Sequence, residues 1–183
     1  MFHNEAKLAA LLNHPNVVQI HEVDHYQGSY FIAMEYIEGS SVAAMSRLAH
    51  YRKTAIPFPV AGEIVAQVCD GLHAAHELKG EDGAPVGLVH RDVSPQNLMV
   101  SSSGQVKVLD FGIAKARGSE VRTEAGQIKG KYPYMSPEQC QGDHLTRCTD
   151  IFSLGIIFYE MVVAKRLFKR RTDLMTLKAI TEE

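Results

Sequence analysis

His90-Arg91-Asp92-Val93-Ser94-Pro95-Gln96-Asn97 is followed, after two apolar runs and a turn, by Asp110-Phe111-Gly112. Between them, Leu98-Met99-Val100 reads as a strand and Ser102-Ser103-Gly104 as a turn. Gln105-Val106-Lys107-Val108-Leu109 reads as the returning strand. Asn97 therefore opens one arm of a hairpin and Asp110 closes the other, which brings both side chains to one place. The residue types suit phosphoryl transfer. That chemistry needs a positioned nucleophile and neutralised negative charge more than covalent help from protein. A carboxylate such as Asp92 can accept or orient a substrate hydroxyl. Asn97 and Asp110 offer hard oxygens that suit Mg²⁺, an ion that keeps waters and takes few protein ligands.

Outward from this centre, the pattern predicts an α+β fold. Residues 4–13 carry a helical apolar pattern (Ala6, Leu8, Ala9, Leu12) that ends at His14-Pro15. Residues 17–26 and 30–35 read as a strand pair around Gln27-Gly28-Ser29. Ser40-Ser41 can cap a helix running to about Arg52, and Ile56-Pro57-Phe58-Pro59 breaks it. A long helix over about 60–78 places Ile64, Val68, Leu72, Ala75 and Leu78 on one face. Residues 79–85 are turn-rich and read as a surface loop, and 113–131 as a flexible segment. The apolar stretch 151–164 contains Glu160 and is too short to span a bilayer, so it reads as a buried helix. A final helix starts near Thr172.

Composition agrees with a globular domain: 183 residues, 45% apolar and 22% charged. A net charge of −2 gives no electrostatic case for nucleic acid. Cys69, Cys140 and Cys148 form no C-x-x-C pair and read as reduced thiols in a cytoplasmic setting. The first residues show no signal peptide. His73 and His76 share a helix face but have no third ligand nearby in sequence, so a packing or surface role is expected.

Further motifs follow in a fixed order. They are Asn4-Glu5, His14-Pro15-Asn16-Val17-Val18, and Ala33-Met34-Glu35-Tyr36-Ile37-Glu38-Gly39. Beyond the central strings come Tyr134-Met135-Ser136-Pro137-Glu138 and Asp150-Ile151-Phe152-Ser153-Leu154-Gly155. Together with the two central strings they resemble the protein kinase family, in its bacterial serine/threonine branch. The resemblance implies a two-lobed fold. Residues 1–37 would be a remnant of the small lobe and hinge (the αC helix plus a strand pair). Residues 38–183 would be a mostly helical large lobe without its last helices. It implies ATP and Mg²⁺ as cofactors and a protein as substrate. Asp92 would be the catalytic base, and Asn97 and Asp110 would hold Mg²⁺. Met34 would be the gatekeeper, the backbone of Glu35 and Ile37 would bond the adenine edge, and Met99 would pack beneath the ring. Val93-Ser94-Pro95-Gln96 lacks the Arg/Ala residues of tyrosine kinases, which favours Ser/Thr acceptors. Arg91 suits control by a phosphate, with Thr123 the first candidate and Ser119 the second.

The sequence also departs from the family pattern. It has no glycine-rich phosphate loop and no strand lysine, so Glu5, at the place of the lysine's usual partner, has no identified partner. The arginine that usually pairs with the glutamate at position 138 is not reached. A fragment of a longer kinase, itself inactive, is the first expectation. A non-catalytic kinase-like interaction module is the second. Ser94 stands where a lysine contacts the transferred phosphate, while Lys131 follows Gly130 where threonine is usual. Lys131 could supply the cation that Ser94 cannot, or could be a solvated or substrate-facing lysine. Oligomeric state is not legible.

Overall fold

A computed structural model describes residues 11–26, 29–80, 82–111 and 132–182. Glu5, Ser119, Thr123 and Lys131 lie outside the described residues, as do most of the helix expected over 4–13 and the segment 113–131. The architecture is α+β, as the sequence predicts.

The strand pair forms as β1 (Ile20–Tyr26) and β2 (Ser29–Met34), antiparallel, with Ile20 opposite Met34 and an irregularity between Ile20 and Glu22. The hairpin around the central strings forms as β4 (Leu98–Ser101) and β5 (Val106–Val108), in a register that sets Leu98 opposite Val108. Its turn closes through Gly104 N–H to the Ser101 carbonyl, with Gly104 at φ 85°. That left-handed backbone favours glycine.

One strand was not expected. β3 (Gly39–Ser41) adds to the far side of β4, giving a three-stranded sheet in the order β3-β4-β5. Three residues are too few to show a period of two. Their pairing depends instead on Gly39, where an added Cβ would sit 2.1 Å from the Val100 carbonyl oxygen. Only a residue without a side chain lets the backbones approach so closely.

Ser41 then caps α1 (Val42–Tyr51), its hydroxyl accepting from Ala44 N–H. The next helix, α2 (Phe58–His76), starts two residues earlier than its apolar pattern suggests and ends two sooner. Pro59 falls in the first turn, where a missing N–H costs nothing, so it does not break the helix. Ile64, Val68, Leu72 and Ala75 are buried along one face.

The remaining elements are a 3-10 turn at Tyr132–Tyr134, α3 (Pro137–Gln141), α4 (Arg147–Val163) and α5 (Asp173–Glu182). Ser136 and Thr146 each form a capping box, at the starts of α3 and α4. The helix expected over 151–164 buries one face, through Leu154, Ile156, Ile157 and Met161. Ile151, Tyr159 and Val163 stay open, so it is not buried all round. Among the described residues no helix is long and apolar enough to cross a membrane.

The core lies where α2 packs on α4 and on β5. Leu72, Leu98, Val108 and Ile157 sit in it with essentially no exposure. Leu72→Ala should cost about 2–5 kcal/mol, since the lost methylenes leave a cavity the sheet and helices cannot fill. Urea unfolding followed by circular dichroism would read this as a lower midpoint; an unchanged midpoint would place the core elsewhere.

Candidate active site

The loop 90–97 runs through the interior, so its backbone N–H groups need partners. Asp150 supplies them. Its carboxylate is buried in the first turn of α4, where the helix dipole favours an anion. It accepts from His90 N–H at 2.9 Å and from Arg91 N–H at 2.8 Å, and His76 Nε2 at the end of α2 lies 2.7 Å away. On the other side of the loop, Gln139 of α3 donates to the Arg91 carbonyl at 2.8 Å. Arg91 is held between these contacts at φ 63°, a left-handed conformation that costs a side chain on the order of 1 kcal/mol.

His90 is fully buried and joins two segments. Its Nδ1 accepts from Asp92 N–H at 3.2 Å, and its Nε2 faces the Leu109 carbonyl at 2.8 Å. A carbonyl can only accept, so these partners assign one neutral tautomer with the proton on Nε2. Burial holds the imidazole below its ordinary pKa, against the opposing pull of Asp150, the Leu109 carbonyl, Asp92 and Asp110. Its ring also lies 4.6 Å from that of Phe111. The loop and the end of β5 are thus one assembly.

Within it, Asn97 Nδ2 donates to the Asp92 carbonyl at 2.9 Å and to Asp92 Oδ2 at 3.1 Å. The Asn97 carbonyl accepts from Leu109 N–H at 2.9 Å, extending the hairpin ladder by one step. Asp110 comes next, exposed, at φ 55°, with no hydrogen bond or ion pair among the described residues. The hairpin therefore brings together Asp92, Asn97 and Asp110, the three residues the sequence singled out. With its nitrogen committed to Asp92, Asn97 presents its amide oxygen for other partners. That oxygen and the Asp110 carboxylate are hard donors and fit Mg²⁺. Among the described residues no group of three or more His, Cys, Asp or Glu could hold a metal, so a transition-metal cage finds no support there.

The chain leaving β2 is organised by a contact that sequence reasoning missed. Glu35 follows β2, and its N–H donates to the Gln19 carbonyl at 3.0 Å. Its carboxylate accepts from Gln19 N–H at 2.8 Å and from Lys107 Nζ at 2.6 Å. Lys107 lies opposite Met99 in the register, so the two side chains share one face of the sheet. Met34, Ile37 and Met99 are half-buried. In sequence Lys107 only alternates with Val106 and Val108, which suggests an outward residue but names no partner so far away.

Ser94 is buried, and its hydroxyl has no hydrogen-bond partner among the described residues. It lines a small cavity with Asp92, Val93, Tyr134 and Met135. Glu138 accepts from Thr149 Oγ1 at 2.6 Å. Burial alone would raise its pKa; the Thr149 hydroxyl, its own N–H and Ser136 outweigh that and hold it below the ordinary range.

Glu35 carries a pH signature. Burial alone would raise its pKa, but Lys107, Gln19 N–H and His21 hold it below its ordinary 4.5. The folded state therefore favours the ionised form. Its stabilisation is complete above the unfolded value and is lost as pH falls through the lower folded value. Lys107→Met should flatten the acid limb of a stability-versus-pH curve below about pH 4.5. An acid limb identical to that of the parent would remove the ion pair from the account.

Comparison with known proteins agrees with this geometry. The protein kinase domain family matches residues 1–183. The chain is 47% identical over 182 residues to the tyrosine-protein kinase MasK of Myxococcus xanthus, covering 100% of this chain and 28% of that protein. It is 36% identical over 174 residues to the serine/threonine-protein kinase PknB of Mycobacterium leprae, covering 91% of this chain and 26% of that one. For the serine/threonine-protein kinase PrkC of Bacillus subtilis the identity is 34% over 168 residues, with 90% and 24% covered. The chain spans about a quarter of the length of these curated relatives. A match along its whole length, over a loop and hairpin that gather Asp92, Asn97 and Asp110, means that the chain belongs to the protein kinase family.

Proposed function

We propose that the protein carrying these residues transfers the terminal phosphate of ATP to serine or threonine hydroxyls of other proteins. Protein kinases generally use ATP with Mg²⁺. The observation that carries the reading is the Asp92–Asn97 hydrogen bond with Asp110 at the end of the opposite hairpin arm. Asp92 takes the proton of the acceptor hydroxyl as its oxygen bonds to phosphorus and the bond to the departing ADP breaks. Asn97 and Asp110 hold Mg²⁺, which neutralises phosphate charge when bound. The Glu35 carbonyl and the Ile37 N–H receive the adenine edge, between Met34 and Met99. Reduced Cys69, Cys140 and Cys148 suit work in the cytoplasm.

The Ser/Thr assignment rests on Val93-Ser94-Pro95-Gln96 and on the similarity to the serine/threonine-protein kinases PknB and PrkC. The name of the Myxococcus relative supports a second acceptor, tyrosine. A non-catalytic kinase-like interaction module is the alternative in kind. We expect the 183 residues by themselves to transfer little or no phosphate.

The test uses the product of the full reading frame around these residues, incubated with labelled ATP and a mixed protein substrate. Phosphoserine and phosphothreonine should form. Asp110→Asn or Asp92→Asn should lower kcat by about 100-fold or more with the fold intact. Phosphotyrosine alone would transfer the assignment to tyrosine. No incorporation, with ATP binding unaffected by Asp110→Asn, would leave the interaction module.

One further catalytic role and one regulatory role belong to the same reading. Lys131 provides the cation absent at Ser94, and Arg91 receives a phosphate placed on Thr123 or Ser119. Lys131→Ala should cut kcat by about tenfold or more while the KM for ATP stays nearly constant. Near-normal turnover would reject the exchange. Mass spectrometry after incubation with ATP should find phosphate on Thr123 or Ser119, and its absence from both would reject the switch.

A further inference from the structure

Residues 165–171 read Lys-Arg-Leu-Phe-Lys-Arg-Arg, with no carboxylate among them, in a chain whose net charge is −2. Outside this run the chain is therefore net acidic. The run connects α4 to α5 and is pinned from within. Leu167 and Phe168 pack against the core, and the Phe168 ring stacks on Phe152 at 6.1 Å. Leu167 N–H donates to Glu160 at 3.2 Å, Arg170 N–H to Thr176 Oγ1 at 3.0 Å, and Arg170 Nη1 to the Leu167 carbonyl at 2.9 Å. With its apolar side chains turned inward, the loop leaves Lys165, Arg166, Lys169 and Arg171 exposed.

Two nearby carboxylates answer two of these cations: Glu160 bonds Arg166 at 2.8 Å, and Asp173 lies 3.4 Å from Lys169. Lys165 and Arg171 make no hydrogen bond or ion pair among the described residues. The loop thus carries surplus positive charge on a fixed backbone.

Its place relative to the candidate active site is also defined. Arg166 hydrogen-bonds the Tyr134 hydroxyl and lies over that ring at 5.7 Å. Tyr134 in turn lines the cavity that contains Asp92.

We infer that residues 165–171 are a docking platform for acidic side chains of the substrate that flank the hydroxyl receiving phosphate. The inference rests on the proposed transfer at Asp92 and adds a substrate class to it: acceptor sites flanked by Asp or Glu. A short acidic peptide fits better than a long polyanion, because a nucleic acid or an anionic bilayer would also meet the acidic remainder of the chain.

The test is a binding measurement on the full chain. Fluorescein-labelled serine peptides flanked by three Asp, three Asn or three Lys residues are titrated by anisotropy. A labelled single-stranded oligonucleotide and phosphatidylglycerol vesicles are the competing probes. The Asp peptide should bind at least about tenfold tighter than the Asn peptide at low salt, and the margin should shrink as salt rises. The double variant Lys165→Glu, Arg171→Glu should erase the margin. The milder Lys165→Gln, Arg171→Gln should reduce it, and serves if charge reversal disturbs folding. Equal binding of Asp and Asn peptides, a margin that survives both variants, or tighter binding of the oligonucleotide or vesicles would overturn the platform. Binding needs no chemistry. An acid preference without phosphate incorporation would therefore count against transfer and leave the platform standing, and incorporation without acid preference would do the reverse.

Discussion

One buried carboxylate organises this molecule. Asp150 collects two backbone N–H groups of the 90–97 loop and the imidazole of His76, and so binds α4 and α2 to the loop between them. An internal loop would otherwise strand its amides in a dry interior, at a cost of about 1–3 kcal/mol each. Asp150 in turn must not be left as a bare buried charge, which would cost more. Each side of the arrangement exists because of the other. The left-handed backbone at Arg91 persists only because its N–H and carbonyl are both held, by Asp150 and by Gln139.

The same logic, with an ion pair in place of amides, governs the chain leaving β2. Glu35 lies where β2 leaves the first sheet, and Lys107 belongs to the strand that leads to Asp110. Both are partly shielded from water, with side-chain exposures of 28% and 13%. Their attraction is therefore less screened than that of a surface pair. The Gln19 N–H shares the same carboxylate oxygen, so three chain segments meet at one atom. A pair in that position ties the expected adenine side to the expected metal side through protein alone.

Much of this was legible in the sequence, for identifiable reasons. The hairpin carries a turn triplet between two largely apolar runs, and α2 carries four apolar residues at helical spacing. Both appear within two residues of their expected bounds. The placement of Asn97 and Asp110 at the two ends of one hairpin is legible because the turn between the two strands fixes it. β3 was not readable, since three residues without periodicity pair only through a close approach at Gly39. The start of α2 was misplaced because Pro59 looks like a breaker until its position in the first turn is known. Asp150 was visible as the head of an apolar helix, but its hydrogen bonds to His90 and Arg91 are made across sixty residues of chain. No local pattern encodes such a partnership, and the same is true of Glu35 with Lys107.

The two-sided bonding of His90 limits how this centre can move. Separating the Leu109 carbonyl from Nε2, or Asp92 N–H from Nδ1, would leave a polar atom unmatched inside the protein. The loop with Asp92 and the strand end that leads to Asp110 are consequently coupled: displacing either one is costly unless the other follows.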